Sequence, residues 1–237
     1  SILPFCITTI LSLMYFTTER SWEIKMYVNP NSCFKSLSRF NTWAWTETSK
    51  ADTDSSQIIN LGLTASYDDL RTLSTASSSL KKQSGEFSEL AGTYGFKYDT
   101  RNRAFMPTSG SVVGFDQTLP IYADKKFISN TFRASKYKSF SEDVVGATKF
   151  YLSTINGLDN EDVRLSKRVK LSSKRLRGFE KNRVGPIDGS DHIGGNYAAA
   201  LNFEANLPKL LPDSTNTDVG LFLDFGNVWG VDYDSGI

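Results

Sequence analysis

The chain has 237 residues, of which 39% are hydrophobic, 17 are glycine and 7 are proline. This composition excludes collagen-like and disordered chains and leaves room for one large domain or two ordinary ones. Lys and Arg number 27 and Asp and Glu 26, so the formal net charge of +1 gives no reason to expect a nucleic-acid partner for the chain as a whole.

The first feature along the chain is an apolar run over residues 2–16. It is shorter than the roughly 20 residues that a transmembrane helix needs, and it lacks the basic start and the small-residue cleavage site of a signal peptide. The chain begins with Ser1, and residues 231–237 contain no closing element. We therefore expect both ends to be cuts from a longer protein, and we assign no role to 2–16.

Apolar and polar residues then alternate with a period of two, which is the spacing of a β-strand with two different faces. The pattern predicts about nine strands of 8–13 residues and no amphipathic helix, and such strands can cross a bilayer at a tilt of about 45°. The Ser- and Thr-rich stretch 73–85 suits a longer barrel loop. The predicted strands are 22–28, 38–48, 58–68, 92–99, 111–119, 125–137, 144–155, 196–207 and 219–229.

Alternation alone fits both a soluble β-sandwich and a membrane β-barrel. A mean hydropathy of −0.32 is compatible with either, because a barrel wall faces lipid with alternate residues only. Gly, Ser, Thr and Asn populate the parity that would face a lumen, and aromatic residues cluster near strand ends, as in interfacial girdles. We therefore predict an all-β fold, a partial transmembrane antiparallel up-and-down β-barrel. The girdle candidates are Trp43, Trp45, Tyr67, Tyr98, Tyr197 and Trp229.

One long segment, at about 159–195, lacks the alternation. From Arg164 to Arg183 it carries nine basic residues and a single acidic one, Glu180. Three interpretations are open: a solvated surface loop, a patch for nucleic acid or anionic lipid, and a loop folded back against acidic residues of a lumen.

Four motifs in order carry a resemblance to a known family. They are Tyr98-Asp99-Thr100-Arg101-Asn102 followed by Pro107-Thr108-Ser109-Gly110; Leu176-Arg177-Gly178-Phe179 followed by Gly185-Pro186 and Gly194-Gly195-Asn196; the strand Leu201–Pro208 with Glu204; and Phe222–Trp229 with Asp224. Together they resemble the barrel of the BamA family, within the POTRA-linked insertase superfamily. The resemblance covers residues 94–230 and implies about nine strands of an expected sixteen or so.

The resemblance implies that Arg177 reaches into the lumen and pairs with Glu204 and Asp224. Both carboxylates lie on the polar parity of their strands, which agrees with that role, and a planar guanidinium fits carboxylates bidentately. Gly178 would allow a tight turn close to the wall, and Phe179 would anchor in the wall. Leu176 stands where the family has Val or Ile.

The resemblance also sets the functional expectation. It implies an assembly factor of the bacterial outer membrane that folds and inserts β-barrel proteins, with nascent barrels, assembly-complex lipoproteins and membrane lipids as partners and no nucleic acid. Residues 1–237 would then be an incomplete barrel domain, with POTRA domains and the last strands missing. Alternatives are a two-partner secretion or TamA-like translocator of the same superfamily, a passive porin-like barrel, and a soluble β-sandwich binding module.

Few residues suit catalysis or metal binding. His192 is the single histidine, which leaves no second imidazole for a zinc site, and Cys6 and Cys33 fit no ligand spacing, although they could pair in an oxidising periplasm. Glu204 and Asp224 could serve as an acid–base pair, but a protease would also need a histidine beside them. We therefore expect no enzyme activity and no cofactor.

Overall fold

A computed structural model of the chain describes residues 56–74, 76–207 and 219–231, and the backbone of 43–50. Eight strands form the main sheet, and a five-residue helix and a short hairpin complete the described elements. Within these ranges no helix is long and apolar enough to cross a membrane. The elements are β1 Trp43–Lys50, β2 Ser56–Leu70, α1 Ser78–Lys82, β3 Gly85–Asp99, β4 Ser109–Ala123, β5 Phe127–Ser141, β6 Val144–Gly157, β7 Ile187–Asp188, β8 Asp191–His192, β9 Tyr197–Leu207 and β10 Val219–Trp229.

The main sheet is an antiparallel meander in the order β1-β2-β3-β4-β5-β6-β9-β10. Each strand pairs with the strand that follows it, except that residues 158–196 and their β7–β8 hairpin come between β6 and β9. The predicted all-β, up-and-down architecture is therefore confirmed. Cys6, Cys33 and the predicted strand 22–28 lie outside the described residues.

The strands β2 to β6 are longer than predicted, whereas β9 and β10 match the predicted bounds to within one residue. β3 spans Gly85–Asp99 where alternation indicated only 92–99, and β4 continues to Ala123. Outside the part that alternates, both parities are mixed in β3 and both are apolar at the end of β4, so the periodicity fades while the pairing of the strands continues. The connection 73–85 contains α1, which the sequence pattern did not predict.

The two faces of the sheet differ in chemistry. Phe150, Leu201 and Phe225 lie directly opposite one another on one face, which we call the outer face. Lys149, Asn202 and Asp224 lie opposite one another on the other, which we call the inner face. A soluble sandwich would bury the apolar parity, but here that parity is the exposed one. Exposed outer-face residues include Leu61, Leu63, Tyr94, Phe96, Phe203, Leu221, Leu223 and Phe225. Such a face suits contact with lipid.

This assignment of faces predicts unequal tolerance of charge on β2. In the full-length protein refolded into lipid vesicles, Leu61→Arg on the outer face should lower the free energy of unfolding by about 2–4 kcal/mol, because it places a cation against hydrocarbon. Asn60→Arg, its neighbour on the inner face, is the matched control and should cost less than about 1 kcal/mol. Urea unfolding followed by tryptophan fluorescence measures both. Equal costs would contradict the assignment.

Candidate functional site

Residues 158–196, hereafter the inner loop, lie against the inner face. Their apolar side chains are buried there, among them Val163, Leu165, Leu171, Leu176 and Ile193. Val169 exchanges both backbone hydrogen bonds with Gly195, so the inner loop is also closed on itself. Of the three interpretations of this segment, the structure shows the one in which the loop folds back against the wall.

Small residues on β9 and β10 make room for the inner loop. Leu171 packs with Ala198, Ala200 and Val228 in one buried cluster. A Cβ added to Gly226 would stand 3.1 Å from the Leu171 Cδ1 atom and 3.1 Å from a backbone oxygen of β9. The glycine and alanines of these strands therefore form the platform on which the loop rests.

Arg177 is clamped to the platform by its guanidinium. Its Nε donates to one oxygen of Asp224 at 2.8 Å and its Nη2 to the other at 2.6 Å, and the Arg177 backbone N–H adds a third bond at 3.0 Å. The same Nη2 lies 3.0 Å from Glu204. These hydrogen bonds, with Asp224 contributing most, raise the pKa of Arg177 above its ordinary value, so the cation is permanent. The three residues predicted as partners are brought together.

Three further residues complete the clamp, and the sequence analysis did not assign them to it. Lys149 on β6 lies 2.5 Å from the second oxygen of Glu204. Asn202 donates to Asp224 at 2.8 Å and to the backbone oxygen of Arg175 at 2.7 Å. The ring of Phe222 lies 4.0 Å from the Arg177 guanidinium carbon. With Lys149 included, two cations face two carboxylates, and the clamp is electrically balanced.

The other motif residues behave differently from one another. Leu176 is buried, whereas Phe179 is 58% exposed, so the expected anchoring of Phe179 in the wall is wrong. The chain turns at Gly178, with φ at +86°, and residues 178–181 are exposed before Gly185 returns to the platform beside Val228. A Cβ on Gly178 would meet nothing within 4 Å, so the left-handed backbone explains this glycine and close packing does not.

The inner loop has a second anchor at the other side of the sheet. Arg164 Nη2 donates to Asp68 on β2 at 2.9 Å, and its guanidinium carbon lies 3.9 Å from the ring of Phe87 on β3. The two charged side chains are only 6% and 3% exposed. Beside them, Lys167 pairs with Glu89 at 2.5 Å. Asp68 lies on the inner parity of β2. This parity was the one feature of the sequence from which the anchor could have been predicted.

The remaining motif residues lie at the two ends of the strands. A Cβ on Gly195 would stand 2.5 Å from the backbone oxygen of Trp229, so only glycine allows this approach. At the opposite end of the strands, Arg101 holds Asp99 with two side-chain bonds of 2.8 and 2.6 Å, and Asn102 accepts from the backbone N–H of Thr108. The Tyr98–Gly110 motif therefore stabilises the hairpin between β3 and β4. Within the described residues, no cluster of His, Cys, Asp and Glu could hold a metal.

An antiparallel meander with an apolar outer face and a charged loop pinned to its inner face defines a transmembrane β-barrel with an inserted loop. The Omp85 superfamily domain matches residues 12–236, and the chain belongs to the Omp85 superfamily.

Three curated relatives are similar over much of the chain. A SAM50-like protein of Schizosaccharomyces pombe is 29% identical over 142 residues, which are 56% of this chain and 30% of the relative. The outer membrane protein assembly factor BamA of Neorickettsia risticii is 26% identical over 73% of this chain and 24% of its own length. The human sorting and assembly machinery component 50 homolog is 25% identical over 68% of this chain and 36% of its own. This chain therefore matches about a quarter to a third of each relative.

A solved structure shares the fold. BamA from Haemophilus ducreyi lacking POTRA domains 1–3 matches with a TM-score of 0.67 and 20% sequence identity, over 81% of this chain and 42% of that one. The expected partial barrel and its resemblance to the BamA family are confirmed. The missing POTRA domains and last strands stay predictions.

The buried second anchor predicts a large effect on stability. In the full-length protein, Arg164→Met should lower the free energy of unfolding by about 3–5 kcal/mol, because it leaves the Asp68 carboxylate buried without its cation. Arg164→Met with Asp68→Leu should recover most of this loss, since no charge then remains to be buried. Urea unfolding in vesicles measures both.

Arg183→Met is the control for this series, because Arg183 pairs with Glu180 in an exposed position and should contribute less than about 1 kcal/mol. If the double variant were as unstable as Arg164→Met, packing of the arginine and not its charge would explain the loss.

Proposed function

We propose that this chain is the barrel part of an assembly factor that folds and inserts β-barrel proteins into an outer membrane. The observation that carries the proposal is the clamp: Arg177 of the inner loop held bidentately by Asp224 and shared with Glu204 on the wall of an Omp85 barrel. A passive porin-like barrel would show alternating strands without the Arg-Gly-Phe loop motif. The names of the relatives, an outer membrane protein assembly factor and sorting and assembly machinery components, support the same activity.

The clamp would serve assembly by holding the wall in one shape. Templating of a client strand needs an open strand edge, because unpaired N–H and C=O groups recruit a new strand. The eight-stranded wall between β1 and β10 must then resist slippage while an edge elsewhere in the barrel opens. An internal loop tied to both sides of this wall supplies that resistance.

The proposed partners follow from this activity. They are nascent outer-membrane β-barrel proteins, assembly-complex lipoproteins and membrane lipids, with no nucleic acid. An outer membrane is the location. Relatives of bacterial and eukaryotic origin match at similar identity, 26% and 25–29%, so the expectation of a bacterial cell stays a prediction from the motifs.

We propose binding and strand pairing as the whole activity, without bond chemistry. Asp224 is only 4% exposed and holds a guanidinium, and Glu204 is shared between two cations. Carboxylates engaged in this way are structural counter-ions, because acid–base work needs a carboxylate that can exchange a proton with a substrate. A translocator of the same superfamily, of the two-partner secretion or TamA-like type, is the alternative and would secrete a client instead of inserting it.

Charge reversal in the full-length protein tests the proposal. Arg177→Glu should impair outer-membrane barrel assembly, because it sets a third carboxylate against Asp224 and Glu204. Adding Asp224→Arg should restore part of the activity, whereas adding Glu204→Arg should restore less, since the new cation would face Lys149. The readout is the amount of folded client barrel in the membrane of a depleted host.

Lys174→Glu is the matched control, because Lys174 is an exposed cation three residues away in the same loop. It should leave assembly unchanged. If Arg177→Glu had as little effect on assembly as Lys174→Glu, the proposed assembly function would be wrong. A passive barrel would then be the better interpretation. Normal assembly combined with failed secretion of a client would favour the translocator.

A further inference from the structure

We propose that the outer face carries a binding site for an anionic glycerophospholipid of the surrounding bilayer, in a groove across β4, β5, β6 and β9. The groove has a volume of about 650 Å³. Glu204 of the clamp, whose side chain lies on the inner face, also borders the groove, but the proposed site does not depend on the assembly function. Its outer-face lining is Ser111, Val113, Ala134, Lys136, Lys138, Phe140, Gly146, Thr148, Phe150 and Phe203.

The groove is built by small residues between aromatic ones. Ala134, Gly146 and Thr148 have short side chains, while Phe140, Phe150 and Phe203 stand around them. A Cβ on Gly146 would lie within 3.3 Å of several ring atoms of Phe140, so the glycine allows that ring to lie over the strand. The result is an apolar depression on a face that contacts lipid, and its shape and chemistry suit an acyl chain.

Lys136 and Lys138 lie together at one end of this depression. Both are exposed, and Lys138 Nζ lies 5.8 Å from the centre of the Phe140 ring. Among the ion pairs of the described residues, neither lysine faces a carboxylate. The lysines at the other end of the same strand differ, because Lys125 pairs with Glu161 and Lys126 with Asp159. The groove therefore combines an apolar body with two cations at its end, which matches a lipid with an anionic headgroup.

The position of the lysines in the sheet strengthens this assignment. Lys136 lies opposite Thr148 and Lys138 opposite Gly146, on the outer face of β5 and β6. Both cations therefore stand on the face that suits contact with lipid. A lipid phosphate drawn to them would compensate their charge.

A client strand is a poor occupant for this groove. β4, β5, β6 and β9 each pair with neighbours on both sides, so no backbone edge is open for strand addition. Two turn acids, Glu142 and Asp143, lie near the lysine end, and both already have interactions of their own. A bilayer lipid needs only the apolar groove and the cations, and it is present at this face without recruitment.

Native mass spectrometry of the full-length protein in detergent tests the site, with dioleoylphosphatidylglycerol as the anionic probe and dioleoylphosphatidylcholine as the zwitterionic one. Lys136→Ala with Lys138→Ala should weaken phosphatidylglycerol binding by about fivefold per lysine and leave phosphatidylcholine binding unchanged. Thr148→Phe should weaken binding of both lipids, because it fills the groove without changing charge. Lys81→Ala with Lys82→Ala, on α1 at the other end of the strands, is the matched control and should bind like the unchanged protein.

Three outcomes would overturn the proposal. The first is phosphatidylglycerol binding that is equal in the unchanged protein and in the Lys136 and Lys138 double variant. The second is unchanged binding in Thr148→Phe, which would reduce the site to surface charge. The third is the loss of a co-purifying protein with no change in lipid binding, which would make this face a protein interface. Each variant is first shown to be folded by the heat-dependent mobility of its barrel in electrophoresis.

Discussion

The structure depends on charge compensation between the inner loop and the wall. Asp68, Glu204 and Asp224 are carboxylates on the inner face with little exposed surface, and each would be costly to bury alone. The loop supplies Arg164 to Asp68 and Arg177 to both Asp224 and Glu204. Without the loop, Asp68 and Asp224 would lose these cations, and Glu204 would keep only Lys149 of the wall. The ion pairs therefore couple the stability of the loop to that of the wall.

This dependence also explains why the loop spans so much of the sheet. Arg164 is bound at β2 and Arg177 at β10, and these strands stand six places apart in the sheet order. A connection fixed at only one end could not limit movement between distant strands. The two anchors differ in exposure, since Arg164 is 6% exposed and Arg177 30%. The β2 anchor is therefore the more deeply buried of the two, although Asp224 in the β10 anchor is itself only 4% exposed.

Much of this arrangement was predictable because strand parity is a local property. Alternation along 196–207 and 219–229 placed Glu204 and Asp224 on one face before any contact was known. Lys149, Asn202 and the pair of Asp68 with Arg164 were not assigned, because their contacts depend on the register between segments up to 96 residues apart. Phe179 was misassigned because an aromatic residue at the end of the motif suggested an anchor, whereas its side chain is 58% exposed after the turn at Gly178.

Parity also keeps the two faces of one strand chemically independent. On β6, Lys149 points inward to Glu204, while its neighbours Thr148 and Phe150 point outward into the groove. A substitution on one face changes charge or volume on that face only, because successive side chains stand on opposite sides of the sheet. A barrel wall in this family can therefore keep an inner clamp fixed for stability and adapt its outer face to a particular membrane. The outer groove, whose two lysines form no ion pair within the described part of the chain, is where such adaptation to lipid would be located, one residue away from the clamp.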